Sequence, residues 1–197
     1  MLDEKFVIVR AVLSLIGGSS YIIDTLKGRA KPNKVSWAIW ALAPLIAFSA
    51  EIKQGVGLQS LMTFMAGFMP LLVFLASFVN KQAYWKISRI DLLCGVLSIG
   101  GLVLWQITQV GNIAILFSII ADGLAAIPTI IKSFHEPETE SDLIFLMAGI
   151  SALLTLLTIK IWNFEHYGFP AYIFLICALF FVLIRFKIGK RLTATNK

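Results

Sequence analysis

Residues 112–132 read NIAILFSIIADGLAAIPTIIK, an apolar stretch long enough to cross a lipid bilayer. The only formal charge before Lys132 is Asp122, near the middle, where a carboxylate costs about 2.5–3.5 kcal/mol to insert. Such a group needs a partner, a cavity or a proton. Pro128 follows six residues later and bends the predicted helix. An acid in mid-membrane beside a bend indicates a pathway for a solute.

The composition favours a membrane protein. Of 197 residues, 58% are hydrophobic and 14% are charged, whereas soluble domains carry about 25% charge. The apolar residues come in continuous runs, which is typical of membrane spans rather than of a globular core. The net charge is +6, but the basic residues lie at the ends of the runs, where they face lipid headgroups. The predicted partner is therefore the lipid bilayer, and nucleic acid is not.

Seven apolar runs of about 16 to 22 residues are present, a length that suits helices crossing a hydrocarbon core of about 30 Å. They lie at 6–26, 35–50, 58–79, 92–110, 113–131, 143–159 and 169–184. We expect an all-α integral membrane protein with seven transmembrane helices. Because the connections are short, successive helices are expected to be antiparallel neighbours. The first run follows Asp3 and Glu4, so it is predicted to be a helix rather than a signal peptide.

The distribution of lysine and arginine predicts the orientation. With the N-terminus outside and the C-terminus in the cytoplasm, thirteen basic residues face inward and four face outward. The outward four are Lys5, Arg10, Lys53 and Lys160. We therefore expect a multi-pass protein of this orientation in a bacterial inner membrane. Trp37 and Trp40 fall near the inner boundary, where an aromatic belt explains them.

An internal repeat appears when the chain is shifted by 105 residues. The shift aligns Gly18 with Gly123, Ile22 with Ile127, Lys27 with Lys132, Pro32 with Pro137 and Ser36 with Ser141. The predicted parts are a first three-helix repeat at 1–80, a linker helix at 81–111, a second repeat at 112–190 and a cytoplasmic tail at 191–197. Four helices separate equivalents, so the two repeats are parallel. Transporters built from such repeats bind their solute between the halves, near the midplane.

Three helices, a joining helix and three more helices, with the N-terminus outside, resemble the SWEET and PQ-loop family of membrane transporters. Residues 126–132, AIPTIIK, look like that family's proline-containing first helix of a repeat. The family's Pro-Gln pair falls on Pro128-Thr129 and, in the first half, on Ile23-Asp24. The resemblance implies alternating access for a small polar solute such as a sugar, an amino acid or a vitamin.

The predicted solute-binding residues lie on or beside one small, polar face of the first helix of each repeat. They are Asp122, Ser118, Thr129, Asp24, Ser20 and Tyr21. We expect Asp122 to line a central cavity between the first, second, fifth and sixth helices, where it hydrogen-bonds the solute or takes up a proton. Asp24 is equally well explained by pairing with Lys27 or by water. Close packing of helices also accounts for the small residues of this face.

Three prolines interrupt predicted helices and are candidate hinges: Pro44, Pro70 and Pro128. The connections after the first helix of each repeat carry helix-start signals. Asn33 or Ser36 is expected to cap the second helix, and residues 139–142 form a pattern like a capping box before the sixth.

Enzymatic activity is not predicted. His135 and His166 are expected on opposite sides of the membrane, which excludes a two-histidine metal site. Asp24 and Asp122 differ in depth, whereas an intramembrane aspartyl protease needs facing acids. Both cysteines lie inside apolar runs without the spacing of a disulfide framework or zinc site, and no metal or cofactor is predicted.

The alternative to a transporter is a non-transporting integral membrane module, such as a subunit or receptor, with a packed helical core and a partnered Asp122. A homo-oligomer is left open, although both halves in one chain suffice for a unit that acts alone.

Overall fold

The computed structural model describes residues 6–53, 60–81, 85–108, 111–159 and 161–195. Within these ranges the regular elements are all helical. They are α1 (Phe6–Leu26), α2 (Lys34–Lys53), α3 (Ser60–Val79), α4 (Arg89–Thr108), α5 (Gly111–His135), a 3-10 turn (Pro137–Thr139), α6 (Asp142–Thr158), α7 (Phe164–Arg185) and α8 (Ile188–Thr195). Each of the seven predicted runs is a helix whose ends lie within a few residues of the prediction. Of the basic residues used to predict orientation, Lys5, Lys160 and Lys197 lie outside the described residues.

Three helices of the described chain are long and apolar enough to cross a membrane. These segments are Ile8–Leu26 in α1, Ile115–His135 in α5 and His166–Arg185 in α7. Two shorter apolar helical segments, Thr63–Val79 and Asp142–Thr158, accompany them. The chain is thus a helical protein with the features of a membrane protein. Seven crossings and the predicted orientation stay predictions.

The helices pack in the same order in each half of the chain. Helix α3 packs against both α1 and α2, and α7 packs against both α5 and α6. In the described residues α1 and α2 make no close backbone contact, and neither do α5 and α6. The expectation that successive helices are neighbours is therefore wrong for these two pairs, because the third helix of each half lies between the first two. It is also wrong for α3 and α4, whose described residues make no close backbone contact. Across the halves, α1 packs on α6 and α2 packs on α5, while α4 packs on α5 and α2.

The contact between α1 and α6 is close because α1 carries a glycine there. A Cβ atom added at Gly17 would lie 3.0 Å from the Ile144 Cα and 3.0 Å from the Met147 Cβ. Small residues permit this approach of helix backbones in membranes. Further along the same contact, Arg10 Nη1 donates to Thr155 Oγ1 at 2.6 Å.

Trp40 lies at the centre of the molecule. It packs against three apolar clusters, which are built around Tyr21 and Trp37, around Ala125, and around Phe180. Trp37 is only 2% exposed. The aromatic-belt explanation of these two tryptophans is therefore wrong, because both rings point into the bundle rather than toward its boundary.

The C-terminal end of the chain folds back as α8 against α5 and α7. Lys187, with φ of 50°, makes the turn between α7 and α8, and Gly189 sits directly on the backbone carbonyl of Phe134. Glu138 pairs with Lys187 at 3.1 Å and with Lys190 at 2.7 Å. The predicted boundary between the second repeat and the tail, at residues 190 and 191, therefore falls inside α8 and does not coincide with the end of a helix.

Candidate functional site

A buried ion pair joins the end of α5 to the connection that precedes α6. Lys132 Nζ donates to Glu140 Oε1 at 2.7 Å, and both side chains are 0% exposed. Nζ also donates to the Thr139 carbonyl at 3.3 Å and to the Lys31 carbonyl. Three acceptors therefore match the three N–H bonds of the ammonium group, which removes much of the penalty for burying it.

The other carboxylate oxygen of Glu140 is bound from the first half of the chain. The Tyr21 hydroxyl on α1 donates to Glu140 Oε2, and Tyr21 is fully buried. The connections themselves also touch, since Lys31 N donates to the Thr139 carbonyl at 2.8 Å. Glu140 and Lys132 thus bind groups from both halves of the molecule.

A second polar contact crosses the halves one turn before Lys132 on α5. Thr129 Oγ1 donates to Ser36 Oγ on α2 at 3.0 Å, and both residues are fully buried. Ser36 is fixed by the start of α2, where Asn33 Oδ1 accepts from the backbone N–H groups of Val35 at 3.0 Å and Ser36 at 3.3 Å. Asn33 is therefore the N-cap of α2. Of the two predicted caps, Asn33 is confirmed and Ser36 is not.

We call Tyr21, Ser36, Thr129, Lys132 and Glu140 the polar cluster. It draws on α1, α2, α5 and the α5–α6 connection, and every member is buried. Beside it, a continuous series of ring contacts fills the bundle. Neighbouring ring centroids lie 4.4–6.0 Å apart, in the order Tyr21, Trp37, Trp40, Phe180 and Phe145. The bundle is consequently closed at the end where the α1–α2 and α5–α6 connections meet.

Several buried polar atoms near this end have no hydrogen-bond partner within the described residues. They include Asn33 Nδ2, Trp40 Nε1 and the hydroxyls of Thr25 and Ser133. A buried donor without a partner costs about 1–3 kcal/mol, so such atoms call for water or a ligand. Asn33 lies three residues before Ser36 in the sequence, and Ser133 directly follows Lys132, so both are close to members of the polar cluster. These atoms give the interior between the halves an unused capacity for hydrogen bonds.

Asp122 lies within the second half rather than between the halves. Its Oδ2 accepts from the Tyr172 hydroxyl on α7 at 2.7 Å, and the residue is partly exposed. Gly123 lies beside the same tyrosine, since a Cβ atom added at Gly123 would lie 3.5 Å from the Tyr172 hydroxyl oxygen. The expected position in a cavity between α1, α2, α5 and α6 is wrong, because the carboxylate faces α7. Its role in binding a solute stays a prediction.

The remaining predicted residues are dispersed. Asp24 binds Arg29, whose Nε donates to Oδ1 at 3.0 Å, so its charged partner is Arg29 and not the predicted Lys27. Ser20 on α1 and Ser118 on α5 are partly buried. Of the six predicted solute-binding residues, the structure brings only Tyr21 and Thr129 into the polar cluster.

The predicted hinge prolines all lie inside continuous helices. Pro44 is in α2, Pro70 in α3 and Pro128 in α5, and α7 contains a further one, Pro170. Movement at any of them stays a prediction.

Sequence reasoning missed the pairing of Lys132 with Glu140. Lys132 ends an apolar run, which predicts a residue that faces lipid headgroups, and Glu140 falls within the predicted capping-box pattern at residues 139–142. Ser141 is indeed the residue that precedes α6, but its side chain makes no capping hydrogen bond. The capping-box prediction is therefore wrong, because Thr139 does not occupy the N-cap of α6 and its hydroxyl donates to the Glu136 carbonyl at 2.8 Å. An acid eight residues after a lysine, across a connection containing proline, was the available signal.

Comparison of the chain with protein-family models, with curated proteins and with solved structures gave no match. The geometry of the chain therefore carries the functional argument alone.

Proposed function

We propose that this chain is a membrane transporter that moves a small polar solute by alternating access between two parallel three-helix repeats. In this proposal the chain crosses the membrane seven times, α4 joins the repeats, and the architecture is that of the SWEET and PQ-loop transporters. The solute path runs between α1, α2, α5 and α6.

The reciprocal packing of the two halves carries this proposal. In each half the third helix separates the first two, and across the halves α1 meets α6 while α2 meets α5. An exchange of the halves reproduces this pattern, as expected for repeats related by a two-fold axis along the membrane normal. The shift of 105 residues pairs the same helices, so sequence and packing support the same division.

The polar cluster supplies one closed gate in this scheme. Lys132 binds the Lys31 carbonyl of the first connection and Glu140 of the second, so these contacts must part before the end can open. With the proposed orientation this end faces the cytoplasm, and the structure corresponds to a state closed on that side. The unpaired donors of Asn33 and Trp40 are then available to a solute with acceptor oxygens.

Uptake into proteoliposomes tests the proposal. The purified chain is reconstituted and offered a panel of labelled sugars, amino acids and vitamins, with and without a pH gradient. We expect at least one solute to accumulate above the level of empty vesicles, and a Lys132→Gln variant to change its uptake. Failure of every solute class in correctly inserted protein would contradict the proposal.

A second candidate is the non-transporting membrane module. The Tyr172–Asp122 hydrogen bond and the continuous ring contacts favour it, because both are features of a packed core. The two candidates differ in the mobility of the polar cluster. A module keeps the cluster closed under all conditions, whereas a transporter opens it when a solute gradient is applied.

A further inference from the structure

An apolar groove of about 150 Å³ runs between α6 and α7 on the outside of the bundle. Phe145 and Cys177 form its buried floor, at 5% and 7% exposure. Ile150, Leu153 and Val182 form its rim, each 37–40% exposed. The lining side chains are apolar apart from the Cys177 thiol, so the groove offers a polar guest almost no hydrogen-bond partner. The groove is therefore suited to a hydrocarbon chain rather than to water or a polar solute.

The groove leads to a charged end. The α7 residues that line the groove are spaced by three or four positions from Phe174 to Val182 and form a stripe along the helix. The next position of this stripe is Arg185. Its α6 lining begins with Phe145, one turn after Asp142. At 1.5 Å per residue, the α7 stripe is about 12 Å long, which accommodates much of a fatty acyl chain.

The charged end carries an excess of positive charge. Residues 185–191 contain four basic side chains and no acid. Two acids from elsewhere in the chain, Glu138 and Asp142, pair with three of these side chains, so the basic groups still outnumber the acids. Arg185 is 65% exposed, and its contact with Asp142 is long, at 3.6 Å. An exposed pair of this geometry contributes little, so the guanidinium is available to a phosphate oxygen, which it binds well.

We propose that the α6–α7 groove binds an anionic phospholipid, with an acyl chain along the groove and the headgroup phosphate on Arg185. A lipid fits because the apolar groove leads directly to a guanidinium group. That group, on Arg185, lies in a basic segment at the end of the candidate membrane span His166–Arg185. The site does not depend on the proposed transport function. It requires only that α7 lies in the membrane.

Photolabelling of the full chain in nanodiscs tests the site. The probes are phosphatidylglycerol and phosphatidylcholine, each with a diazirine in its acyl chain, in a phosphatidylcholine background. We expect labelling by the anionic probe to concentrate on α6 and α7 residues of the groove. Gly149→Leu fills the groove and should lower that labelling roughly tenfold. Gly149→Ala is a milder variant, since its Cβ would lie 3.5 Å from the Cys177 Cβ in ordinary contact.

Matched controls separate the site from general lipid contact. Gly100→Leu adds the same volume to α4, where a new Cβ meets nothing within 4 Å, and should leave groove labelling unchanged. Arg185→Gln should reduce the preference for the anionic probe by roughly fivefold. Arg29→Gln removes another exposed arginine that pairs with an acid, Asp24, and should leave the preference for the anionic probe unchanged. Labelling spread evenly over the exposed helix faces, or equal effects of a variant and its control, would overturn the proposal.

Discussion

At the residue scale, Lys132 and Glu140 depend on each other. Both are fully buried, so either charge without the other lies in a medium that solvates it poorly. Tyr21 and the Lys31 carbonyl complete the hydrogen bonds, so the pair is satisfied rather than strained. The polar cluster therefore links the two connections while it stays intact, and the loss of either charge leaves the other one buried and unpaired.

Glu140→Gln should accordingly destabilise the protein by about 3–5 kcal/mol, because it leaves the Lys132 ammonium buried and unpaired. The double variant Lys132→Met/Glu140→Leu should recover most of this loss. Thermal unfolding in detergent measures both. Glu138→Gln removes an acid from exposed pairs and should cost less than about 1 kcal/mol. Equal stability of the Glu140→Gln and Glu138→Gln variants would show that breaking the buried pair costs no more free energy of unfolding than breaking an exposed one.

The Tyr172–Asp122 hydrogen bond is a second residue-scale test. Tyr172→Phe removes a bond to a carboxylate and should cost about 1.5–3 kcal/mol in thermal unfolding. If Asp122 also takes part in transport, Asp122→Asn should change the rate of uptake and its dependence on pH. Uptake by Asp122→Asn at the wild-type rate and with the wild-type pH profile would leave the carboxylate a purely structural group.

At the scale of elements, the α1–α6 contact depends on Gly17. Gly17→Ala places a Cβ against the Ile144 backbone at 3.0 Å and should destabilise by about 1–3 kcal/mol through overpacking. Gly100→Ala is the matched control, because an added Cβ there meets open space and alanine favours a helix. Thermal unfolding compares the two. If both substitutions leave stability unchanged or raise it, α1 and α6 are not as close as described.

The docking of α8 should depend on pH. Hydrogen bonds from Lys190 and Lys187 lower the pKa of Glu138 to about 2, from an ordinary value of 4.5. A lowered pKa means that ionised Glu138 stabilises the docked helix above about pH 4.5, and that this contribution is lost as the pH falls toward 2.

A spin label at Leu192, which is 54% exposed, reports this docking through its mobility. We expect mobility to rise between pH 4.5 and 2, and Glu138→Gln to show increased mobility already at pH 7. Glu136→Gln, a nearby exposed acid, is the control. A label whose mobility is the same in all three proteins at every pH would contradict the role of Glu138 in holding α8.

At the scale of the whole molecule, helices α1 to α7 could be predicted because each coincides closely with an apolar run, whereas the short α8 is not such a run and was not predicted. The run at 6–26 and the helix Phe6–Leu26 coincide. The partners of individual side chains could not be predicted. A lysine that ends an apolar run has the same local signature whether it faces a headgroup or, like Lys132, a buried glutamate. The position of Asp122 failed for a related reason: helical periodicity defines a face, but the neighbour of that face depends on how α7 inserts between α5 and α6.

Alternating access, as proposed, requires the two halves to move against each other across the polar cluster. Ser36 and Thr129 face each other there, with their hydroxyl oxygens 3.0 Å apart, so cysteines at both positions come within reach of a disulfide. The pair Ser36→Cys/Thr129→Cys is made with Cys94 and Cys177 replaced by alanine, and each single cysteine is its control.

Uptake is then measured in proteoliposomes before oxidation, after oxidation and after reduction, with the solute that the panel identifies. If the halves move in this way, oxidation abolishes uptake only in the double-cysteine variant and reduction restores it. Undiminished uptake by protein shown to be fully cross-linked would contradict this movement.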